Sequence, residues 1–156
     1  MEIRPTSEAP LPARLGQRLG IVVQLYTGLV TRLLEPHDLT WPQFALLLHL
    51  ARRGAPARIS DMAEGVDLSQ PAVTKIVQKF TALGLVEVSR DTSDQRSRPV
   101  RITAQGLARL DAVQRSFAPA FGALLDGWEP QALERLTADL SRLSNRLEML
   151  RDTPAG

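Results

Sequence analysis

Basic and polar side chains are concentrated between residues 69 and 101, and their chemistry suits the binding of a polyanion. This segment has six cations against three acids, a surplus of three charges, whereas the formal net charge of the whole 156-residue chain is +2. A local positive patch on a chain of otherwise balanced charge attracts phosphate groups. Charge alone leaves open that the segment is merely a solvated loop. The six cations are Lys75, Lys79, Arg90, Arg96, Arg98 and Arg101.

The residue types that perform catalysis are scarce in this sequence. It has two histidines and no cysteine, which excludes thiol nucleophiles, disulfides and thiolate metal sites. It has no G-x-S-x-G turn, no Gly-rich phosphate loop and no paired acidic motif. We therefore expect no enzymatic activity, no cofactor and no metal centre. A metal site would have to use His37 and His49 with nearby acids such as Glu35 and Asp38.

The basic patch lies on a segment, residues 68–103, whose pattern is helix, turn, strand, polar loop and strand. Ser69 suits a helix N-cap and Pro71 suits the first turn. Apolar residues then recur at helical spacing, with polar residues on the opposite face. Gly84 fits the position just after the helix, where a positive φ is needed. The apolar positions are Val73, Ile76, Val77, Phe80 and Leu83 in the helix and Val86, Val88, Val100 and Ile102 in the strands.

Two further helices are predicted upstream of this segment. Thr40 and Gln43 form a capping-box pattern, and Gly54 ends the helix that they begin. Ile59 is expected to begin a short extended piece, followed by a short helix that ends near Gly65. A short helix, a tight turn and a longer helix with a polar face indicate a helix-turn-helix, which the hairpin extends to a winged helix. The predicted buried face of the first of these helices consists of Phe44, Leu47, Leu48 and Ala51.

Both ends of the chain carry apolar residues at the spacing of helices that pack on other helices. The first helix is predicted over residues 12–35, and the last begins at Pro130. Between them, a helix capped by Thr103 is interrupted by Pro119. A leucine seam of this kind needs a helical partner, either the other terminal helix or a second copy of the chain. The two seams are Leu15, Leu19, Val22, Tyr26, Leu29 and Leu33, and Leu133, Leu136, Leu140, Leu143, Leu147 and Leu150.

The first residues of the chain are polar and rich in proline, and we expect a disordered lead-in over residues 1–11. They lack the apolar centre of a signal peptide. No run in the sequence approaches the roughly 20 apolar residues that span a membrane. We therefore expect a cytoplasmic protein that has no membrane partner.

The sequence resembles a known family of proteins over about residues 12–150 in the order of its elements, and most strongly from residue 39 to residue 106. The shared features are LTWPQFALLLHL at residues 39–50 and the helix-turn-helix pattern that follows it. The most specific feature is Asp94-Gln95-Arg96, followed by the strand Val100-Arg101-Ile102 that closes in Thr103. On these features the chain resembles the MarR family of bacterial winged helix-turn-helix transcriptional regulators.

The resemblance implies a mainly α fold of the α+β class. A winged helix-turn-helix over residues 37–103 would be carried on a helical dimerisation region formed by residues 12–36 and 104–151. The resemblance also implies a homodimer that binds pseudo-palindromic double-stranded DNA, commonly as a repressor that a small ligand releases. There are two departures from the family pattern. Pro99 removes one N–H from the second wing strand, and Pro119 is expected to shorten the helix that links the two regions.

On this resemblance, the helix that Ser69 begins enters the major groove, and the hairpin tip enters the adjoining minor groove. Gln70 can pair with adenine, and Lys75 can reach guanine or a phosphate. Arg96 is expected in the minor groove, with Asp94 holding its guanidinium. Helix capping alone would equally explain Ser69. The other predicted DNA contacts are Pro71, Ala72, Thr74, Lys79, Arg90 and Arg98.

A pocket for a small effector, aromatic or phenolic in chemistry, is expected between the dimerisation helices and the winged domain. Each candidate wall residue could instead be an ordinary core or boundary residue. Two other interpretations stay open: a winged helix that contacts protein without binding DNA, and a metal-responsive regulator. The candidate pocket residues are Tyr26, His37, Trp41, Phe44 and His49.

Overall fold

The computed structural model describes residues 9–89 and 98–151, and these ranges form a helical fold with one small sheet. The chain divides into one unit that ends at Phe117 and a second that starts at Ala118. The elements of the first unit are α1 (Leu11–Leu34), a 3₁₀ turn (Glu35–His37), α2 (Trp41–Arg53), α3 (Ile59–Gly65), α4 (Gln70–Ala82), β1 (Val86–Val88), β2 (Val100–Ile102) and α5 (Ala104–Ser116). Those of the second are α6 (Ala118–Leu124) and α7 (Pro130–Arg151). The mainly α fold with a winged helix is confirmed.

The ends of the helices follow the predicted local signals. Thr40 and Gln43 form the capping box: the Thr40 hydroxyl accepts from the Gln43 N–H at 3.4 Å, and the Gln43 side chain accepts from the Thr40 N–H at 3.1 Å. Gly54 and Gly84, which end α2 and follow α4, have φ values of 63° and 71°. The predicted left-handed positions are therefore confirmed. Helix α1 begins and ends one residue earlier than predicted, so residue 11 of the expected lead-in is helical; residues 1–8 lie outside the described residues.

The sheet contains one strand pair and one additional paired residue. Strands β1 and β2 are antiparallel, with Val86 opposite Ile102 and Val88 opposite Val100. Ala57 pairs with Val100 through two backbone hydrogen bonds, of 2.9 and 2.8 Å. The prediction that Ile59 begins an extended piece was wrong, because Ile59 is the first residue of α3. The extended residue is Ala57, and its partner lies 43 positions further along the chain, beyond the reach of local periodicity.

The core of the first unit lies where α2 meets α1, α3 and α5, and where α4 meets α3 and β1. Phe44 and Leu47 are buried as predicted, but the other predicted members of that face, Leu48 and Ala51, are only half-buried. Leu46 and Leu50 are buried instead. Helix α2 is packed against neighbours on more than one side, so a single stripe does not describe its burial.

The start of α5 is attached directly to the turn between α4 and β1. The Thr103 hydroxyl donates to the Gly84 carbonyl at 2.7 Å and accepts from the Gly106 N–H at 3.0 Å. The Thr103 N–H donates to the Leu85 carbonyl at 3.0 Å. A Cβ on Gly106 would lie 2.1 Å from the Leu85 carbonyl oxygen, so only glycine allows this close approach.

The second unit consists of α6 and α7. The predicted interruption at Pro119 is confirmed, since α5 ends at Ser116 and α6 begins at Ala118. Pro130 is the first residue of α7, as predicted. Leu136, Leu140, Leu147 and Leu150 of the α7 seam are exposed. Over the part of the chain that the structure describes, no helix has the length and apolar character needed to cross a membrane.

Candidate nucleic-acid interface

Helix α4 presents one buried face and one polar face. Val73, Ile76, Val77 and Phe80 are buried against the domain. The first two turns of the other face contain one cation and no acid. The predicted contact residues there are exposed, except for Ala72, which is half-buried: Ser69, Gln70, Pro71, Ala72, Thr74 and Lys75.

Two of these polar side chains also hold the helix. The Ser69 hydroxyl accepts a hydrogen bond from the Ala72 N–H at 3.3 Å, so the predicted capping role is confirmed. The Thr74 hydroxyl donates to the Gln70 carbonyl at 2.9 Å. Because this bond uses the Thr74 hydroxyl, the methyl group of Thr74 is the part of the side chain that remains available for an apolar contact with a binding partner.

The two lysines of α4 are in different electrostatic situations. Lys75 is exposed and has no ion-pair partner within residues 9–89 and 98–151. The Lys79 ammonium lies 3.7 Å from an Asp38 carboxylate oxygen and 3.5 Å from the Asp38 carbonyl. Asp38 thus partly neutralises Lys79 and directs it toward the turn before α2, which leaves Lys75 as the more available cation.

The structure describes only part of the predicted wing. Arg98 is exposed and lies two residues before β2. The Arg101 Nε donates to a Glu87 carboxylate oxygen at 2.9 Å across the strand pair, so the charge of Arg101 is compensated. Three other predicted contacts, Arg90, Asp94 and Arg96, fall outside the described residues, and their roles stay predictions.

Three of the five candidate pocket residues form an aromatic cluster with a fourth ring. The Tyr26 and Trp41 ring centroids are 6.4 Å apart and nearly perpendicular. Trp41 and Phe44 are separated by 6.2 Å, and Phe44 and Phe117 by 5.6 Å. The cluster therefore connects α1, α2 and the end of α5. Phe44 and Phe117 are buried, whereas Tyr26 is 42% exposed.

His37 ties the 3₁₀ turn to α5 through both its ring and its backbone. Its Nε2 lies 2.7 Å from the Ser116 hydroxyl. The single proton of that hydroxyl also points to the Val113 carbonyl at 2.7 Å. When Ser116 donates to Val113, the imidazole must be the donor to Ser116. Arg109 donates to the His37 carbonyl at 2.6 Å.

His49 lies against α3. A Cβ on Gly65 would lie 2.3 Å from the His49 Cε1, so the imidazole occupies the space beside that glycine. The His49 Nε2 is buried and has no hydrogen-bond partner among the residues that the structure describes. Burial lowers the pKa of His49, Arg53 and Arg52 lower it further, and Asp61 opposes them.

Three residues of these contacts were not predicted from the sequence: Phe117, Ser116 and Arg109. Each meets residues more than 70 positions earlier in the chain. Only the position of Ser116 and Phe117 just before the Pro119 interruption marked this segment. No three His, Asp or Glu side chains within the described ranges are grouped to hold a metal ion.

Comparison with known proteins adds to this geometry. A sequence profile of the MarR family matches residues 37–97. The HTH-type transcriptional repressor IacR of Pseudomonas putida is 30% identical over 125 residues, which are 80% of this chain and 74% of that repressor.

Solved structures share the fold at lower sequence identity. A MarR family regulator from Silicibacter pomeroyi is 21% identical with a TM-score of 0.73, covering 97% of this chain and 100% of that one. Wild-type E. coli MarR in its apo form is 21% identical with a TM-score of 0.69, covering 91% and 98%. CouR from Rhodococcus jostii RHA1, bound to p-coumaroyl-CoA, is 21% identical with a TM-score of 0.66, covering 88% and 95%.

The sequence match to IacR, its coverage of both chains and the winged-helix fold all indicate the same family. Members of the matched family are transcriptional regulators rather than enzymes. The chain belongs to the MarR family of transcriptional regulators.

Proposed function

We propose that this protein is a homodimeric repressor that binds pseudo-palindromic duplex DNA and is released by a small aromatic ligand. The observation that carries the proposal is the polar face of α4. Its first two turns expose Gln70, Thr74 and Lys75 with no acid among them, while the opposite face is fixed in the core. A helix held in this way can enter the major groove without being distorted.

The side chains on this face divide into two roles. The Gln70 amide offers a donor and an acceptor that match adenine, and the Thr74 methyl can meet a thymine methyl. Lys75 supplies a positive charge near guanine or phosphate. Lys79, held by Asp38, supplies a weaker charge toward the backbone. Arg98 marks the base of the wing, whose predicted tip residue Arg96 would enter the minor groove.

Exposed apolar residues on the terminal helices support the homodimer. Helix α1 exposes Val22 and Leu25 at 60% and 68%, and α7 exposes Leu140 and Leu147 at 49% and 53%. Apolar surfaces of this extent on helices are normally covered by a partner. A second copy would cover them and set the spacing of two α4 helices, so half-sites would lie about one helical turn apart.

The aromatic cluster supports an aromatic ligand. Tyr26 and Trp41 are only partly buried, and they adjoin rings that join α2 to α5. His37 and Ser116 provide polar groups at another contact with α5. CouR, which shares this fold, binds p-coumaroyl-CoA. A ligand that binds one arrangement of these helices better than another shifts the population toward that arrangement.

The DNA-binding part is tested by selecting random duplexes with the full-length protein. We expect an enriched palindrome with two half-sites. Gln70→Ala should then lose about 1–3 kcal/mol of discrimination at the base pair that Gln70 contacts. Gln78→Ala is the matched control, because Gln78 is an exposed glutamine eight residues after Gln70 and is not among the predicted contacts. Recovery of no enriched sequence would favour the alternative of a protein-binding winged helix.

The ligand-binding part is tested with tryptophan fluorescence. The chain has two tryptophans, so Trp128→Phe leaves Trp41 as the single reporter. Titration with p-coumarate, p-coumaroyl-CoA and benzoate should change Trp41 emission and release the selected duplex over the same concentration range. Emission changes without release would show binding that does not regulate, and an unchanged signal for all three would contradict the aromatic site.

A further inference from the structure

We propose that Arg58 is an additional contact to the DNA backbone, acting with Arg98 at the base of the wing. Arg58 and Arg98 are called the wing-base pair below. Arg58 belongs neither to α4 nor to the hairpin, and nothing in the polar pattern of those elements indicates it. The inference rests on the proposed DNA binding and adds a second surface to it.

The first support is the charge of the segment that contains Arg58. Residues 39–60 contain three arginines and no acid, a surplus of three charges that equals the surplus of residues 69–101. The whole chain has a net charge of only +2. The segment that contains Arg58 is therefore positively charged, as is the segment that contains α4.

The second support is the sheet, which brings the two segments together. Ala57 and Val100 form a reciprocal hydrogen-bonded pair in antiparallel register. The next residue, Arg58, is therefore opposite Pro99 and one step from Arg98. This is the end of the sheet from which residues 90–97 leave β1 and return to β2. The pairing places Arg58 at the base of the wing, although 40 positions separate it from Arg98 in sequence.

The third support is the absence of a compensating carboxylate within the described ranges. Arg53 has Asp61 at 4.0 Å, and Arg101 has Glu87. Arg58 and Arg98 are both exposed and have no ion-pair partner among residues 9–89 and 98–151. An exposed guanidinium that has no carboxylate partner can donate paired hydrogen bonds to a phosphate group.

Phosphate groups of duplex DNA fit this pair better than a nucleobase does. A guanidinium at the base of a hairpin, rather than at its tip, meets the backbone that borders the groove. Such contacts position the protein without specifying sequence. The wing-base pair should therefore contribute the same factor to binding of any duplex, and its contribution should weaken as salt rises.

The experiment compares Arg58→Gln, Arg98→Gln and the double variant with wild type. Affinity for the selected operator and for a shuffled duplex of equal length is measured by fluorescence anisotropy between 50 and 200 mM salt. Each lost phosphate contact should reduce the slope of log K against log salt by about 0.9, hence about 1.8 in a dimer that makes the contact twice. Arg58→Gln should weaken both duplexes by the same factor.

Two controls separate this effect from general changes in charge or folding. Arg32→Gln removes an exposed arginine from α1, and α1 packs on α2 and the 3₁₀ turn. This variant should leave the slope of log K against log salt unchanged. Arg58→Lys retains the charge and should keep most of the wild-type slope. Circular dichroism melting verifies that every variant is folded.

Four outcomes would overturn the inference. A wild-type slope for Arg58→Gln excludes the contact, and weakening on the operator alone assigns Arg58 to base recognition or to α4 positioning. If Arg32→Gln has an effect equal to that of Arg58→Gln, the change in slope reflects the net charge of the protein and not a contact made by Arg58. If wild type bound neither duplex at any salt concentration, the proposed function would fail and this inference with it.

Discussion

Helices α4 and α7 both carry regular apolar stripes, but they use them differently. The stripe of α4 is buried, with Val73 and Phe80 completely inaccessible to solvent. Helix α7 has no buried residue, and Leu140 and Leu147 are about half exposed. The same periodicity therefore serves a core within one chain in α4 and, on the proposed function, an interface between two chains in α7.

Phe80→Ala should have the largest effect on the stability of the chain. Phe80 is fully buried on α4, and truncation of a buried phenylalanine costs about 3–5 kcal/mol. Leu83→Ala, at the C-cap of the same helix, is the control, since Leu83 is 51% exposed and its truncation should cost about 1 kcal/mol or less. Urea unfolding measures both. Equal losses would mean that the α4 stripe is not the core that its burial indicates.

The double substitution Leu140→Glu, Leu147→Glu should separate the proposed dimer while leaving the winged domain folded. Each leucine contributes about 1.5–3 kcal/mol when it is fully covered. The dimer dissociation constant should therefore rise by at least about 100-fold, as measured by analytical ultracentrifugation.

A matched control for the dimer test exists on the same helix. Ala138→Glu with Asn145→Glu adds the same charges at the same seven-residue separation, at exposed positions off the seam. This control should leave the dissociation constant close to the wild-type value. If both double variants dissociate alike, charge rather than the leucine seam controls association.

Thr103→Ala should have an intermediate effect. It removes the N-cap of α5 and the hydrogen bond to the Gly84 carbonyl. Loss of a cap costs about 1 kcal/mol, and the unpaired carbonyl adds to this. Thr103→Ser keeps the hydroxyl and should recover most of the lost stability in urea unfolding. Failure of serine to restore stability would shift the role of Thr103 to its methyl group.

Acidification should have the smallest effect, confined to the winged domain. The pKa of His49 in the folded protein lies below its ordinary value of 6.5. As pH falls below 6.5, the unfolded chain takes up a proton that the folded chain resists, so stability declines until the lowered folded pKa is passed. Unfolding from pH 7.5 to 5.5 should show this decline in wild type and less of it in His49→Gln.

The control for acidification is His37→Gln, the other histidine. His37 is held by Ser116 rather than buried without a partner. This variant removes the other histidine and leaves the burial of His49 unchanged, so it tests whether the decline belongs to His49. A decline of equal size in His49→Gln would assign the pH dependence to carboxylates or to the nearby charges of Arg52, Arg53 and Asp61 instead.

Features set by neighbouring residues were predictable from the sequence, and features set by distant ones were not. The Thr40–Gln43 capping box, the Ser69 cap and the positive φ of Gly84 depend on a few consecutive residues, and all three were predicted correctly. The Ala57–Val100 pair, the His37–Ser116 hydrogen bond and the burial of Leu46 arise only when remote segments meet. The periodicity of apolar residues does not indicate which remote segment a given residue will contact.

The candidate DNA contacts also divide into features set by neighbouring residues and features set by distant ones. The exposed face of α4 was predictable because one helix determines it. The pairing of Lys79 with Asp38, and the pairing of Arg101 with Glu87, depend on the tertiary structure and reduce the charge that a count of cations suggests. Counting charges therefore overestimates the free cations near α4 and misses Arg58 in the upstream segment.

The attachment of α5 has a mechanical consequence. Thr103 and Gly106 join α5 to the turn at Gly84 and Leu85 through three hydrogen bonds and a contact that leaves no room for a side chain. This joint has no hinge, because neither partner can rotate without breaking a hydrogen bond or driving Gly106 into a carbonyl. The beginning of α5 is therefore fixed to the turn that follows α4, and on the proposed function a tilt of α5 would be transmitted to the helix that enters the major groove.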